Sequence, residues 1–371
     1  MKIGIEAKWF FEGPASGRVV IRNLVEQFIA LSTGHEVYVF LDARARQLPF
    51  PHQAPHVRLV YIWGGNNMLS NLFVLPRRAA RLGLDVVVFQ NFSPLFAPFR
   101  RIAYIHDVLF LSNPEYYTLK ERLYFLPLKR LTRAAERACT VSHEEKKRLL
   151  KYGYKDDASQ VDVIYHGVSP VFRPRERFDA SYLAAVRDRY RLPDQYVLFV
   201  GRLNIRKNID HLLQAIPLLR NTRITLVIAG AQDWKMFDFQ NLIGSLSITD
   251  RVQLIGAVHG EELAAVYAMA TVFCFPSYAE SFGLPALEAM AAGVPVVVSN
   301  TTSLPEICGE AGSYIAPDQP GQIAGRIDEL LENEALYQEK KKLGLHRAAS
   351  FTWQQSAQRL MECIYHAVPT K

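Results

Sequence analysis

Two glutamates eight positions apart stand in the most chemically suggestive run of the chain, Glu280-Ser-Phe-Gly-Leu-Pro-Ala-Leu-Glu288. Pro285 suits the first turn of a helix running towards Ala292, and Gly293 suits its end. The amides of Phe282, Gly283 and Leu284 then stand at a helix N-terminus, where N–H groups and the positive dipole end attract anions and hydroxyl oxygens. Glu280 lies in the loop ahead of that helix and Glu288 in its first turns. One ligand would therefore meet a carboxylate, a row of amides and a second carboxylate in order. Carboxylates accept two hydrogen bonds each and suit the vicinal diols of sugars and riboses. A lone acid near a helix start, by contrast, does no more than stabilise the dipole.

A second run, Val200-Gly-Arg-Leu-Asn-Ile-Arg-Lys-Asn208, follows an apolar strand and leads into a helix, with Asn208 suited to the N-cap. Ligands of open α/β sheets bind beyond the carboxyl ends of strands. Arg202 and Lys207 are cations at such an end, able to neutralise a diphosphate without a metal, while Gly201 lets the backbone approach it. Two solvated surface cations are the plainer alternative. The loop Glu12-Gly-Pro-Ala-Ser-Gly-Arg18 can bring the Gly17 amide to a phosphate. Ile105-His-Asp107 ends a strand, and His106 there could bond a sugar hydroxyl or act as acid or base. A lone histidine is more often structural. No Asp-x-Asp occurs, so the usual carboxylate clamp for a divalent cation is missing and no metal or cofactor is expected. The chain also lacks Gly-x-Gly-x-x-Gly, the Walker loop, Gly-x-Ser-x-Gly and His-Glu-x-x-His.

Positioning these groups needs two sheets. Strands are expected at Lys2–Ala7, Glu36–Leu41, Val57–Trp63, Asp85–Gln90, Ile102–His106 and Cys139–Ser142, separated by amphipathic segments at Arg18–Leu31, Met68–Leu82, Leu119–Ala135 and Glu144–Lys151. Short, two-sidedly apolar strands alternating with helices predict a parallel sheet covered on both faces. Val168–Asp194, with Pro170, Pro174 and Pro193, reads as a linker around one short helix. The pattern then restarts, with strands at Tyr196–Val200, Arg223–Ala229, Val252–Ile255, Thr271–Phe275 and Val294–Ser299. Helices fall near Ile209–Leu219, Phe237–Leu246, Glu261–Met269, Pro285–Ala292 and Gln322–Glu332. Two such units leave a cleft, a common place for a ligand.

Composition agrees with two folded domains: 371 residues, 49% hydrophobic and 21% charged, bury a sizeable core. Four scattered cysteines with no Cys-x-x-Cys exclude a disulfide scaffold. With Lys2, Glu6 and Lys8 inside a strand-like run, Met1–Lys8 is not expected to be a secretory signal. The longest nearly apolar stretch, Leu263–Pro276, falls short of the ~18 residues that a bilayer span needs. A cytosolic protein is expected. Its charge is uneven: residues 1–190 carry a net +10 and residues 191–371 a net −3. That balance fits an anionic partner for the first half, or simply a wet basic surface.

Taken together the runs resemble the retaining glycosyltransferases of family 4, which have the GT-B fold. Glu280 to Glu288 matches that family's Glu-x7-Glu motif with its Phe-Gly-Leu-Pro core. Gly201-Arg202 with Arg206-Lys207-Asn208 matches its phosphate loop, and Ile105-His106-Asp107 its first-domain histidine. Val141-Ser142, Cys274-Phe-Pro-Ser277, Ala289-Met-Ala-Ala-Gly-Val-Pro295 and Leu304-Pro-Glu306 fit the same order, so the likeness covers nearly the whole chain.

The resemblance implies two Rossmann-like α/β domains with parallel sheets facing across a cleft. Residues 1–170 would bind the acceptor and 171–351 the nucleotide-sugar donor, with a last helix, about 352–371, packing back on the first. It implies that Arg202 and Lys207 bind the donor diphosphate and Glu288 the ribose. Glu280 and the amides of Phe282, Gly283 and Leu284 would hold the donor sugar. His106 would contact that sugar near the reacting carbon, Gly17 would approach the phosphates, and the backbone near Val258 would meet the base. Many relatives carry more glycines in the first loop than Gly13-Pro-Ala-Ser-Gly17 does.

The branch most resembled includes bacterial mannosyltransferases of surface-polysaccharide assembly, which favours GDP-mannose and leaves UDP- and dTDP-sugars open. The expected acceptor is a glycan or a lipid-linked one. Lys120, Lys129, Arg130, Arg133 and Arg137 interleave with Leu123, Tyr124, Phe125, Leu128 and Leu131. This pattern fits either peripheral contact with the inner membrane face or a core helix with a wet side. Nucleic acid is not expected, because phosphate tracks are not lined with carboxylates such as Glu280 and Glu288. A non-catalytic sugar-nucleotide-binding protein is the rival of another class.

Overall fold

A computed structural model describes residues 1–63, 65–231 and 239–368. The chain divides into two compact units, one of residues 1–167 with 352–371 and one of residues 168–351.

The first unit is built on β1 (Lys2–Glu6), β2 (Glu36–Asp42), β3 (Val57–Ile62), β4 (Val86–Gln90), β5 (Arg100–Ile105), β6 (Arg137–Thr140) and β7 (Val161–Val163). They form one sheet in the order β3-β2-β1-β4-β5-β6-β7, and every pairing is parallel. The strands are apolar on both sides because helices cover both faces, and Val86–Gln90 is buried throughout. One core layer gathers Phe92, Ile105, Phe110, Leu128, Leu149 and Tyr154. Another holds Phe40, Val60, Leu75, Val87 and Phe89. The helix Trp353–Ala367 returns to this unit and packs on the helix Ala15–Leu31 and on β5, β6 and β7.

The second unit repeats the plan with β8 (Tyr196–Val200), β9 (Thr225–Ala229), β10 (Val252–Gly256), β11 (Val272–Phe275), β12 (Val296–Ser299) and β13 (Gly312–Ile315). Its sheet runs β10-β9-β8-β11-β12-β13, again parallel. In each sheet the order reverses beside the first strand of the unit, between β1 and β4 and between β8 and β11. Loops leaving those strand ends part to opposite faces, which opens the crevice where such folds bind ligands.

Several expected elements change on inspection. The segment Leu119–Ala135 is two helices, Leu119–Phe125 and Leu128–Ala134, interrupted at Pro127, whose ring and missing N–H disfavour a helix interior. The linker does carry its one expected helix, Ala180–Tyr190, eleven residues long and capped by Asp179. Of the expected helix Phe237–Leu246, residues Phe239–Ser245 are helical and its first two residues lie outside the described residues. The first-loop helix begins at Ala15 rather than Arg18, because Arg18 N–H already reaches Pro14 O at 2.9 Å. Among the described residues no helix is long and apolar enough to cross a membrane.

Candidate active site

In the second unit the crevice is lined by the loops that follow β8 and β11. The loop after β8 closes with a turn of 3-10 helix, Ile205–Lys207, which turns Lys207 inward until it is only 8% exposed. Its Nζ donates to Glu280 Oε1 at 2.6 Å and lies 4.6 Å from the centre of the Phe275 ring. Arg206 Nη1 stands 3.3 Å from the other oxygen, Glu280 Oε2, and also donates to the Ala279 carbonyl. Burial pushes the Lys207 ammonium down to about 8, Glu280 opposing this and the nearby Arg206 and Arg202 reinforcing it. Burial alone would raise Glu280, but Lys207 and Arg206 outweigh it and hold the carboxyl below its ordinary range. Arg202 is exposed at the mouth of the same loop. The result is a buried carboxylate with two cations on it and a third nearby, a local excess of positive charge suited to an anion.

Asn208 occupies the N-cap position, yet its side chain makes no cap hydrogen bond, because the residue adopts left-handed backbone geometry. Its amide instead donates to the Pro276 carbonyl at 2.9 Å and to that of Pro317, which stitches the β8 loop to the loops after β11 and β13.

Glu280 is held by its main chain as well as by its charge. Its N–H donates to Thr302 Oγ1 at 2.9 Å, and Ser303 Oγ donates to the carbonyls of Glu280 and Phe282 at 3.0 and 2.9 Å. Gly283 caps the helix Leu284–Ala291 with φ 104°, and a Cβ there would lie 2.7 Å from Leu304 Cδ2. Only glycine takes that conformation without strain. The early amides of this helix have no intrahelical acceptor. Glu288 lies on the same helix, partly buried, and accepts a 3.0 Å hydrogen bond from the Tyr267 hydroxyl. Burial pushes Glu288 up to about 8, and Tyr267 works against the rise. Val258 is buried just after β10. The structure thus joins Lys207 to Glu280 directly and places Phe282, Gly283, Leu284 and Glu288 on the adjoining turn and helix.

In the first unit the end of β5 presents His106, partly buried, with Nε2 at 2.8 Å from Gln90 Oε1. Burial pushes its imidazole down to about 4, so the ring is neutral at pH 7. Gly17 lies inside the first turn of Ala15–Leu31, so its amide belongs to a helix N-terminus rather than to a loop. Trp9 explains the loop's composition: a Cβ on Gly13 would lie 2.7 Å from the indole, and one on Gly17 2.9 Å. The same indole sits 6.0 Å from the His106 ring, centroid to centroid.

Sequence reasoning missed the groups that hold these ones: Thr302, Ser303 and Tyr267 in the second unit, and Glu6, Lys8, Asn71, Gln90 and Glu145 in the first. Glu145 is fully buried, pairs with Arg148 and accepts the Val108 N–H, fixing the turn after His106. In the basic segment Leu128 and Leu131 are core residues, Tyr124 and Phe125 are half-buried and Leu123 is exposed, as are Leu119 and Leu126, which the sequence reading did not single out.

The crevice of the second unit thus gathers cations, carboxylates and helix amides, a set suited to a ligand that carries both anionic groups and hydroxyls. A model of glycosyl transferases group 1 matches residues 187–364, and one of glycosyltransferase family 4 matches residues 17–172. O-antigen chain mannosyltransferase B of Escherichia coli is 31% identical over 69% of this chain and 67% of its own. Serotype-specific mannosyltransferase WbdA of the same species is 30% identical over 71% of this chain, which corresponds to 33% of that protein. Sucrose-phosphate synthase from Thermosynechococcus elongatus matches with a TM-score of 0.77 at 22% identity, covering 99% of this chain and 98% of its own. WaaG, a glycosyltransferase involved in lipopolysaccharide biosynthesis, matches with a TM-score of 0.73 at 16% identity, over 98% and 99%. The chain belongs to the group 1, family 4 glycosyltransferases and has the GT-B fold.

Proposed function

We propose that this glycosyltransferase moves a mannosyl residue from GDP-mannose, with retention and without a divalent metal, to a glycan or lipid-linked acceptor in bacterial polysaccharide assembly. The observation that carries the reading is the Lys207–Glu280–Arg206 cluster beside the helix Leu284–Ala291, at the reversal point of the second sheet. As the glycosidic bond breaks, negative charge grows on the diphosphate, and Arg202 and Lys207 stabilise it. Glu288 receives the ribose, and the backbone around Val258 receives the base. Glu280 and the amides of Phe282, Gly283 and Leu284 hold the sugar, which also contacts His106. The acceptor attacks from the leaving-group face, and a phosphate oxygen takes its proton. The mannosyltransferase relatives favour the mannosyl donor; HepE of Anabaena, a fold neighbour at 17% identity and TM-score 0.74, is a complex with UDP-glucose, which keeps uridine donors as the alternative.

Calorimetric titration with GDP, UDP and dTDP in buffer containing EDTA tests this directly. Selective binding of GDP is expected; binding that appears only on adding Mg²⁺ would overturn the metal-free site. Lys207→Ala should lower kcat by about 100-fold or more, the scale of losing a preorganised donor to developing charge. Near-normal turnover would remove Lys207 from the mechanism.

The proposal extends to the cytoplasmic face of the membrane. Leu119, Leu123 and Leu126 are 68%, 57% and 72% exposed, and their spacing is that of one helical face. Lys120, Arg122, Lys129 and Arg130 surround them, a combination suited to anionic headgroups. Cosedimentation with phosphatidylglycerol-containing vesicles should be lost at high salt and weakened by Leu123→Ser with Leu126→Ser. Absence of salt-sensitive binding would overturn this part alone.

A further inference from the structure

Beneath His106 lies a buried polar chain that the transfer reaction does not itself require. Gln90 ends β4 and is 1% exposed. Its side-chain amide reaches two partners, Glu6 O at 3.4 Å through Nε2 and His106 Nε2 at 2.8 Å through Oε1. A main-chain carbonyl can only accept, so the NH₂ end of Gln90 must face Glu6 and the oxygen must face His106. The reverse orientation would press two acceptors together. An amide oxygen carries no proton, so the proton of that hydrogen bond belongs to His106 Nε2. A neutral imidazole holds one proton, which leaves Nδ1 with its lone pair. Among the described residues no hydrogen bond to Nδ1 is present.

Gln90 is itself fixed from below. Its N–H donates to Glu6 Oε2 at 3.2 Å, and Asn71 Nδ2 donates to the same oxygen at 3.3 Å and to Gln90 O at 3.2 Å. Lys8 donates its N–H to Glu6 Oε1 at 3.0 Å and its Nζ to Asn71 Oδ1 at 2.6 Å. Glu6, Lys8, Asn71 and Gln90 are all at most 4% exposed. Asn71 reaches this cluster from a π-helical turn, Ser70–Val74, a geometry that recurs at functional sites. A buried ion pair is weak as a source of stability, since apolar side chains would hold β1 on β4 at least as well. What the network does provide is one orientation of the Gln90 amide.

We propose that Gln90 is a positioning residue that holds His106 in its Nε2–H tautomer, so that Nδ1 accepts a hydroxyl of the transferred sugar. The sugar contact rests on the transferase reading; the tautomer does not. It follows that His106 receives a hydrogen bond from the donor and does not protonate the leaving group.

The test is long-range ¹H–¹⁵N correlation NMR on the full chain labelled with ¹⁵N-histidine, with His106 assigned from His106→Asn. A neutral Nε2–H ring is expected at pH 7 in the wild type. Gln90→Ala should mix the tautomers and lower kcat for the nucleotide sugar about 10-fold, the scale of one hydrogen bond, while affinity for the nucleoside diphosphate stays unchanged. Gln90→Glu, buried as the neutral acid with its O–H donating to Glu6 O, keeps an oxygen against Nε2 and should restore both the tautomer and most of kcat. An Nδ1–H or doubly protonated ring in the wild type overturns the proposal, whether or not the variants fold. So does a Gln90→Ala protein with the tautomer retained. A shifted tautomer with unchanged kcat overturns the sugar contact. If no nucleotide sugar turns over, the transferase reading fails, and the spectrum still decides the role of Gln90.

Discussion

Lys207 and Glu288 both titrate near pH 8, and their charges change in opposite senses. As pH rises through that value Lys207 loses its charge and a diphosphate loses a cation. Glu288 meanwhile gains a charge and becomes the better acceptor for ribose hydroxyls. The two effects oppose each other in the wild type and separate in Glu288→Gln. In that variant, calorimetry should show nucleoside diphosphate affinity falling above pH 8, by at most about tenfold per unit for one lost charge. A further Lys207→Arg change should flatten the curve. A profile already flat in Glu288→Gln would show that Lys207 does not meet the diphosphate. At this scale the motifs are legible because each is a contiguous run, as in Glu280 to Glu288. Their supports are not, since Thr302 lies 22 residues from Glu280, Tyr267 lies 21 from Glu288, and Glu6 lies 84 from Gln90. Only sheet order brings such residues together.

The helix Leu284–Ala291 depends on the turn that starts it. Gly283→Ala would have to hold φ near 104° and displace Leu304, a strain of about 1–3 kcal/mol. Thermal denaturation should show a lowered midpoint for the second unit, and nucleotide-sugar affinity should fall more than nucleoside diphosphate affinity, because the adjoining amides shift. An unchanged midpoint would mean that the turn relaxes freely. Other elements show what periodicity can and cannot reveal. The inner strands β1, β4 and β8 announce themselves as apolar runs buried on both sides. The edge strands β7 and β13 read Val-Asp-Val and Gly-Ser-Tyr-Ile, without the apolar run that marks the comparably short β11 and β12. The helix Glu334–Ala349 escaped for a different reason: it buries only Gly344 and Ala348, so no apolar stripe marks it.

At the scale of the molecule, alternation of strands and helices was enough to indicate two parallel α/β units, whereas the crossing of the last helix came only from the family resemblance. That helix is a structural member of the first unit. Leu360, Cys363 and Ile364 are wholly buried there, and Ser356 Oγ donates to the Tyr165 carbonyl. Leu360→Ala should cost about 2–5 kcal/mol, the range for a buried leucine. The loss should appear as a lowered unfolding transition of the first unit, with nucleoside diphosphate binding by the second unit retained. Equal loss from both transitions would mean that the units do not unfold separately.

The same helix sets an order of events on the ribosome. All of residues 168–351 must be made between the last strand of the first sheet and the helix that completes its cover. At ~5–20 residues per second that is a wait of roughly ten to forty seconds. During it the face of β5, β6 and β7 stands without its lid, its apolar side chains open to chaperones or to a neighbouring nascent chain. The second unit is contiguous and can close as soon as it emerges. The half that was begun first is therefore the half that finishes last.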